Sequence, residues 1–165
     1  MLEQFSILDT KFGKFGILSA NNKLKRVILP IKLKSIKLDV THPNNYSPFM
    51  KRVIDQLNHY FLGNLIKFDI EYELMISSFY KEVLNKVYKI PYGATVSYKN
   101  VAKNIDNPLA FRSVANANAA NPIPIIIPCH RVILKNGTYG NYGGGMRLKK
   151  KLIRFEKENI FKQSV

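Results

Sequence analysis

The chain holds a single cysteine, Cys129, followed directly by His130 and Arg131. A thiol attacks as its thiolate, which an adjacent base or positive charge favours and a rigid support must aim. Unassisted, with a reference pKa of about 8.5, it is only a few per cent ionised at neutral pH. The segment Asn121-Pro122-Ile123-Pro124-Ile125-Ile126-Ile127-Pro128 leads into the cysteine, and its prolines predict an extended, buried arm ending at the thiol. Adjacency does not establish contact, because neighbouring side chains on an extended segment point to opposite faces. A third candidate is Glu156. Leu148, Leu152, Glu156 and Ile160 recur every fourth residue, with Phe155 flanking, so a carboxylate falls on an apolar helical stripe. Buried there it needs a partner. Either one of the many lysines meets it at the core edge, or it accepts from an imidazole such as His130 and fixes that ring's tautomer and basicity. Between cysteine and helix lies Gly140-Asn141-Tyr142-Gly143-Gly144-Gly145, a plain turn or a pocket wall with a flat ring for stacking a base. It is not a Walker-type phosphate loop.

The elements that must position these groups are legible as patterns. Ser77-Ser78 predict a helix cap, and Phe79, Val83, Leu84, Val87 and Tyr88 form the apolar face of a helix ending before Pro91-Tyr92-Gly93. Val96-Ser97-Tyr98 leads into a short helical pattern through Val101 and Ala102. The break Asp106-Asn107-Pro108 follows, then a second helix from about Leu109 to Ala119. Two short helices joined by a tight polar break suggest a helix-turn-helix, whose second helix meets DNA. From Asn107 to Cys129 the one fixed charge is Arg112, amid Ala110, Ser113, Ala115, Ala117, Ala119 and Ala120. Small residues let such a helix approach another backbone closely, with one arginine projecting.

The first 76 residues carry no chemical signature. Residues 4–9, 12–20 and 23–38 are rich in β-branched and aromatic side chains, with turn signals at Gly13, Gly16 and Asn21-Asn22, and predict an antiparallel meander. Ile31-Lys32-Leu33-Lys34 alternates as a half-exposed strand does. Ser47-Pro48 opens a helix carrying Phe49, Val53, Leu57 and Phe61, stopped near Gly63, and a short strand is expected over Ile66 to Tyr72. The expected fold class is α+β in two domains, residues 1–76 and 77–165.

Composition bounds the function classes. A hydrophobic content of 46% over 165 residues argues against disorder. No apolar run approaches the ~18 residues of a membrane span. The start MLEQFSILDTKFGKFG has no basic head before an apolar stretch, so no secretion signal and a cytoplasmic home are expected. One cysteine cannot form an internal disulfide, and three scattered histidines offer no ligand spacing, so neither metal nor cofactor is expected. The net charge of +15 is uneven, +4 over residues 1–76 and +11 over residues 77–165. That favours a polyanionic partner, nucleic acid or an anionic membrane face, read by the second half. A lysine-rich solvated surface is the competing explanation, since lysine outnumbers arginine 20 to 6.

Pro128-Cys129-His130-Arg131-Val132, with Asn121-Pro122 upstream and Gly140-Asn141-Tyr142-Gly143-Gly144-Gly145 downstream, resembles the active-site signature of the O6-alkylguanine-DNA alkyltransferases, or methylated-DNA-protein-cysteine methyltransferases. The resemblance runs from about Phe79 to Glu158. It includes Pro91-Tyr92-Gly93, Val96-Ser97-Tyr98, Asn107-Pro108, Arg112-Ser113-Val114 and Arg154-Phe155-Glu156. It implies a small ribonuclease-H-like α/β domain followed by a mainly helical, winged helix-turn-helix-like alkyltransferase domain.

Roles follow from the resemblance position by position. Cys129 accepts the alkyl group from O6 of guanine, His130 deprotonates it through a water, and Glu156 orients His130. Tyr98 helps rotate the nucleotide out of the duplex and protonates the departing guanine, and Asn121 braces the turn before the cysteine. Arg112 enters the base stack, with Ser97, Ser113, Ala115 and Arg131 also at the DNA. Val132, Tyr142, Gly143, Gly144 and Pro124 form the base pocket, where backbone groups of Cys129 and Val132 read the guanine amine. Many relatives have glycine at the position of Ala115, whose methyl group sits at a close approach to the DNA backbone. The implied partner is alkylated double-stranded DNA bound through the minor groove by a monomer, with no membrane and no cofactor, and O4-alkylthymine is a second candidate substrate. Two rivals stand beside this reading. A helix-turn-helix regulator or lesion-signalling protein would bind DNA and keep its thiol; a Cys-His-Glu acyl hydrolase would turn over repeatedly without DNA.

Overall fold

Alternating apolar and polar residues at the start of the chain build a three-stranded antiparallel sheet in the order β1 (Glu3–Thr10), β2 (Gly13–Ala20), β3 (Lys23–Ile28). In this computed structural model the described residues are 3–163, with side chains described to residue 160. The β2–β3 turn is Asn21-Asn22, both at positive φ (53° and 54°), the mirror-image turn whose twist suits a hairpin. Gly16 marks no turn, contrary to expectation: it lies inside β2, where a Cβ would stand 2.9 Å from both Phe5 and Leu33.

Three further expectations for this region are corrected. β3 stops at Ile28, and Pro30, which lacks a ladder donor, opens the helical turn α1 (Pro30–Leu33). The alternation Ile31-Lys32-Leu33-Lys34 is therefore helical, and Ile31 is exposed. α2 (Pro48–Leu62) begins as expected, with the Ser47 hydroxyl accepting from the Met50 N–H at 3.1 Å, and buries Phe49, Val53, Leu57, Tyr60 and Phe61. Residues 66–72 form no strand. Gln56 of α2 takes both backbone groups of Asp69, at 2.9 and 2.8 Å, which leaves a lone parallel bridge between Leu24 and Tyr72.

The chain divides into two compact units, Met1–Leu74 and Met75–Val165, and the whole is α+β. The second unit contains α3 (Ser78–Tyr88), β4 (Val96–Ser97), α4 (Tyr98–Asn104), α5 (Phe111–Ala119), a 3-10 turn at Cys129–Arg131, β5 (Val132–Ile133) and α6 (Met146–Gln163). Ser77 caps α3 and Ser97 caps α4, each hydroxyl accepting from the N–H three residues on. α5 begins after Leu109 because residues 107–110 form a turn closed by the Ala110 N–H on the Asn107 carbonyl. Val83, Leu84, Val87, Val101, Ala102, Val114, Ala117, Leu152 and Ile153 are buried in this unit. β4 pairs with β5 in parallel, Val96 opposite Val132, and so ties the start of α4 to the segment after the cysteine.

The arm before the cysteine is folded, not extended. Asn121 donates to the Ile127 carbonyl (2.8 Å) and accepts from the Ile123 N–H (3.1 Å), while the Ile127 N–H closes on the Ile123 carbonyl (3.0 Å). Ile125 takes φ +76°, and Ile123, Ile125, Ile126 and Ile127 are buried. The prolines stiffen a loop whose path the Asn121 side chain sets. Among the described residues, no helix is long and apolar enough to cross a membrane.

Candidate active site

Cys129, His130 and Arg131 occupy one 3-10 turn, which fans three consecutive side chains around an axis and removes the two-face alternation of an extended segment. All three are buried. His130 is fully buried, with Nε2 2.9 Å from Glu156 Oε1. An ionised carboxylate only accepts, so Nε2 carries the hydrogen and Nδ1 keeps its lone pair; Nδ1 is buried with no hydrogen-bond partner among the described residues. That leaves a basic nitrogen free on the residue next to the thiol.

Glu156 is held from several directions. Arg131 donates from Nε to Oε2 (2.8 Å) and from Nη2 to Oε1 (2.9 Å), and its Nη1 donates to the Ile90 carbonyl (2.6 Å). The Gly93 N–H donates to Oε2 at 3.1 Å. Gly93 has φ +73°, and a Cβ there would overlap Ile160 of α6, so only glycine brings this N–H to the carboxylate. Arg131 does not fit the DNA-contact role expected for it: it is 6% exposed and its donors are engaged inside the protein.

Burial alone would raise the Glu156 carboxyl, but the His130 and Arg131 groups around it hold it well below the usual carboxylate range. His130 is lowered, by burial first, with Glu156 opposing, so its imidazole is neutral and available as a base. Burial pushes the Cys129 thiol up, opposed by a hydrogen bond from Asn121 and the charge of Lys149. The resting sulfur is a thiol that needs a base to ionise.

Two residues that the sequence reading left aside complete the site. Asn118 of α5 is buried and donates from Nδ2 to the Cys129 carbonyl at 3.0 Å. Lys149 of α6 is fully buried; its Nζ donates to the Val132 carbonyl at 2.6 Å and lies 5.6 and 6.0 Å from the ring centroids of Tyr98 and Tyr142. A signal for each existed: Asn118 shares a helical face with Val114, and Lys149 shares one with Leu152, Ile153 and Glu156. Lys149 was hidden in the run Lys149-Lys150-Lys151, which reads as solvated.

A cleft of about 500 Å³ has Tyr98, Arg112, Ala115, Asn118, Tyr142 and Gly143 among its lining residues. Asn118 of this cleft also meets Cys129 through the cysteine carbonyl, and burial, with the Cys129 sulfur adding to it, raises the Tyr98 and Tyr142 hydroxyls. The Tyr142 hydroxyl is buried, and burial first, then the neighbouring Cys129 sulfur, raises its pKa well above the usual value. Arg112 and Ser113 are exposed on α5, and Ser97 serves as the cap of α4. Val132 and Pro124 are buried and, with Gly144, do not line this cleft. Among the described residues no group of three or more His, Cys, Asp or Glu side chains could hold a metal ion.

The family model described as 6-O-methylguanine DNA methyltransferase, DNA binding domain, matches residues 78–158. A methylated-DNA-protein-cysteine methyltransferase of Mycobacterium tuberculosis is 47% identical over 104 residues, 63% of this chain and 63% of the relative. The chain thus matches less than two thirds of the length of that mycobacterial protein. The protein of the same name from Methanosarcina acetivorans is 37% identical over 152 residues, 92% of this chain and 97% of the relative. The crystal structure of Mycobacterium tuberculosis O6-methylguanine methyltransferase superposes with a TM-score of 0.81 at 32% identity, covering 96% of this chain and 94% of that one. The OGT of that organism in complex with DNA gives 0.80 at 34% identity, covering 94% of each. With a relative matched along nearly its whole length, this chain belongs to the methylated-DNA-protein-cysteine methyltransferase family.

Proposed function

We propose that this protein repairs alkylated DNA by direct reversal, moving a methyl or larger alkyl group from O6 of guanine irreversibly to Sγ of Cys129, with O4-alkylthymine as a second substrate. The observation that carries the reading is the buried series Cys129, His130, Glu156 beside a cleft of about 500 Å³ walled by two tyrosines and bordered by Arg112. The names of the relatives point the same way.

His130 Nδ1 takes the thiol proton through a bridging water, as its lone pair allows. The sulfur attacks the alkyl carbon as the carbon–O6 bond breaks, and the bonding pair stays on the base. The Tyr98 hydroxyl protonates the departing guanine and regains its proton from solvent. The product is a thioether, so each molecule acts once and needs no cofactor. Glu156 keeps the hydrogen of His130 on Nε2, and Asn121 holds the loop that presents Cys129.

The substrate nucleotide reaches the cleft by rotating out of the duplex, with Tyr98 turning its phosphate and Arg112 filling the gap in the stack. Arg112 is exposed on a helix of small residues, which suits that entry. Ser97, Ser113 and Ala115 lie along the DNA backbone; Tyr142 and Gly143 form the wall of the base pocket. The minor groove presents a degenerate pattern, which suits a damage reader that must ignore sequence.

In the same reading residues 1–76 are a ribonuclease-H-like α/β domain, supported by the meander followed by α2. Residues 77–165 are a winged helix-turn-helix-like alkyltransferase domain, supported by α4 and α5 across their short turn and by the β4–β5 pair. The protein acts as a cytoplasmic monomer. Intact-protein mass spectrometry after mixing with a duplex carrying one O6-methylguanine tests the proposal, with Cys129→Ser alongside. A single methyl mapped to Cys129, absent from the variant, is expected; retention of the damaged duplex with no gain in mass would make the protein a lesion binder.

A further inference from the structure

The cleft face of α5 is bulky only where the helix begins. Phe111 and Arg112 line the cleft there, and Ala115, Asn116, Asn118 and Ala119 line it further along. Phe111 is 42% exposed, and Leu109, in the turn before the helix, is 86% exposed. Among the described residues no hydrogen bond or ion pair holds the Arg112 guanidinium, whose Cζ lies 5.8 Å from the centroid of the Phe111 ring. A cation within that range of an aromatic face is attracted to it even in solvent. The ring therefore gives the guanidinium its resting place in the free protein.

Residues 77–165 carry +11 of the net charge, which selects a polyanion as the occupant of this face. A phenyl ring has nothing to offer a phosphate, which takes donors and charge. It suits the face of a base, on which aromatic side chains stack whatever the sequence, or the gap between base pairs that apolar wedges open. Distance decides which base. At 5.8 Å, ring and guanidinium stand less than two base-pair steps of about 3.4 Å apart, so an arginine in the place of the extruded nucleotide brings the ring to an adjoining step. We propose that Phe111 is a second wedge residue: its ring backs the Arg112 guanidinium and stacks on the base beside the extruded nucleotide, so that the two side chains enter the duplex as one unit. The inference rests on the repair reading for the entry of Arg112, and not on alkyl transfer to Cys129. Arg112 supplies charge and Phe111 supplies stacking, which reads no sequence because every base has a π face.

The test is a cycle between the ring and the base it would stack on. Full chains carrying Cys129→Ser, which cannot accept an alkyl group, have Phe111 intact or changed to Ala or Tyr. Each is titrated with a duplex bearing one O6-methylguanine, and with two further duplexes in which the base on one or the other side of the lesion is replaced by an abasic site. Phe111→Ala is expected to weaken binding to the complete duplex roughly tenfold, the order of one lost base–aromatic stack. Against one of the two abasic duplexes the loss should shrink to about twofold or less, because the partner base is already gone. Phe111→Tyr, which keeps the ring, should bind like the parent. An equal loss on all three duplexes would place the ring on the sugar-phosphate backbone and overturn the proposal, as would unchanged affinity or a Tyr variant as weak as Ala. With Cys129 intact, Phe111→Ala should react with free O6-benzylguanine at the parent's rate; a tenfold loss there would make the ring a wall of the base pocket and also overturn the proposal. Because the binding cycle needs no transfer, its outcome is separate from the mass-spectrometric test of repair.

Discussion

The guanidinium of Arg131 meets the carboxylate of Glu156 through two hydrogen bonds, 2.8 and 2.9 Å, with both side chains out of solvent. Paired donors on one carboxylate give the strongest and most directional form of this contact. Because arginine stays charged at any accessible pH, Glu156 remains ionised whether or not His130 carries a second proton. The imidazole can therefore gain and lose a proton beside a carboxylate whose own state does not change.

Arg131→Met leaves Glu156 buried without its permanent counter-charge, and should destabilise the fold by about 3–5 kcal/mol. Urea unfolding measures this. The dependence of DNA affinity on salt should keep its slope, because an arginine turned inward neutralises no phosphate. A slope reduced by about one unit would return Arg131 to the DNA surface.

Glu156→Gln removes the charge that fixes the His130 tautomer. Alkylation of Cys129 by iodoacetamide should slow by at least about tenfold at neutral pH. Stability should fall as well, since Arg131 would be buried without a carboxylate. Unchanged thiol kinetics in a folded variant would leave Glu156 a purely structural partner.

Acid should weaken the fold in two stages. Burial lowers the His130 imidazole, so the unfolded chain binds that proton first; its contribution is complete above about pH 6.5 and is lost as pH falls toward the folded value. Despite its burial, Glu156 is also depressed, by His130 and Arg131; its contribution is present above about pH 4.3 and is lost as pH falls through its folded value. Urea midpoints followed from neutral to acid pH should show both, and His130→Gln should abolish the upper stage. An upper stage that survives in the variant would refute the assignment.

Arg112 is exposed and lines the cleft. Arg112→Ala should slow methyl transfer from duplex DNA far more than reaction with free O6-benzylguanine, which needs no extrusion from a stack. Equal losses on the two substrates would remove the stack-entry role.

Much of this was legible in the chain itself. The cap at Ser47, the face through Phe49, Val53, Leu57 and Phe61, and the isolation of Arg112 are local patterns. So was Glu156, because a carboxylate on an apolar stripe requires a partner, and that partner proved to be His130 together with Arg131. What misled was context. Alternation at Ile31 to Lys34 lost to Pro30, and the proline-rich arm folds because Asn121 bonds across it. Arg131 looked like a DNA contact because nothing in its neighbours says that the Ile90 carbonyl and Glu156 wait for it inside. Lys149 was lost in a basic run whose outer members conceal its inward turn.

Glu156 is gripped from three separate stretches of chain, through Gly93, through the His130-Arg131 turn and from its own helix. The residues proposed to prepare the thiol are thus also the ones that close the core of this unit. Under random mutagenesis, a screen for protein abundance in cells and a screen for survival of alkylating agents should flag the same positions here. The informative mutants would be those that persist in full amount yet protect nothing, and they should map to the cleft rim rather than to the relay.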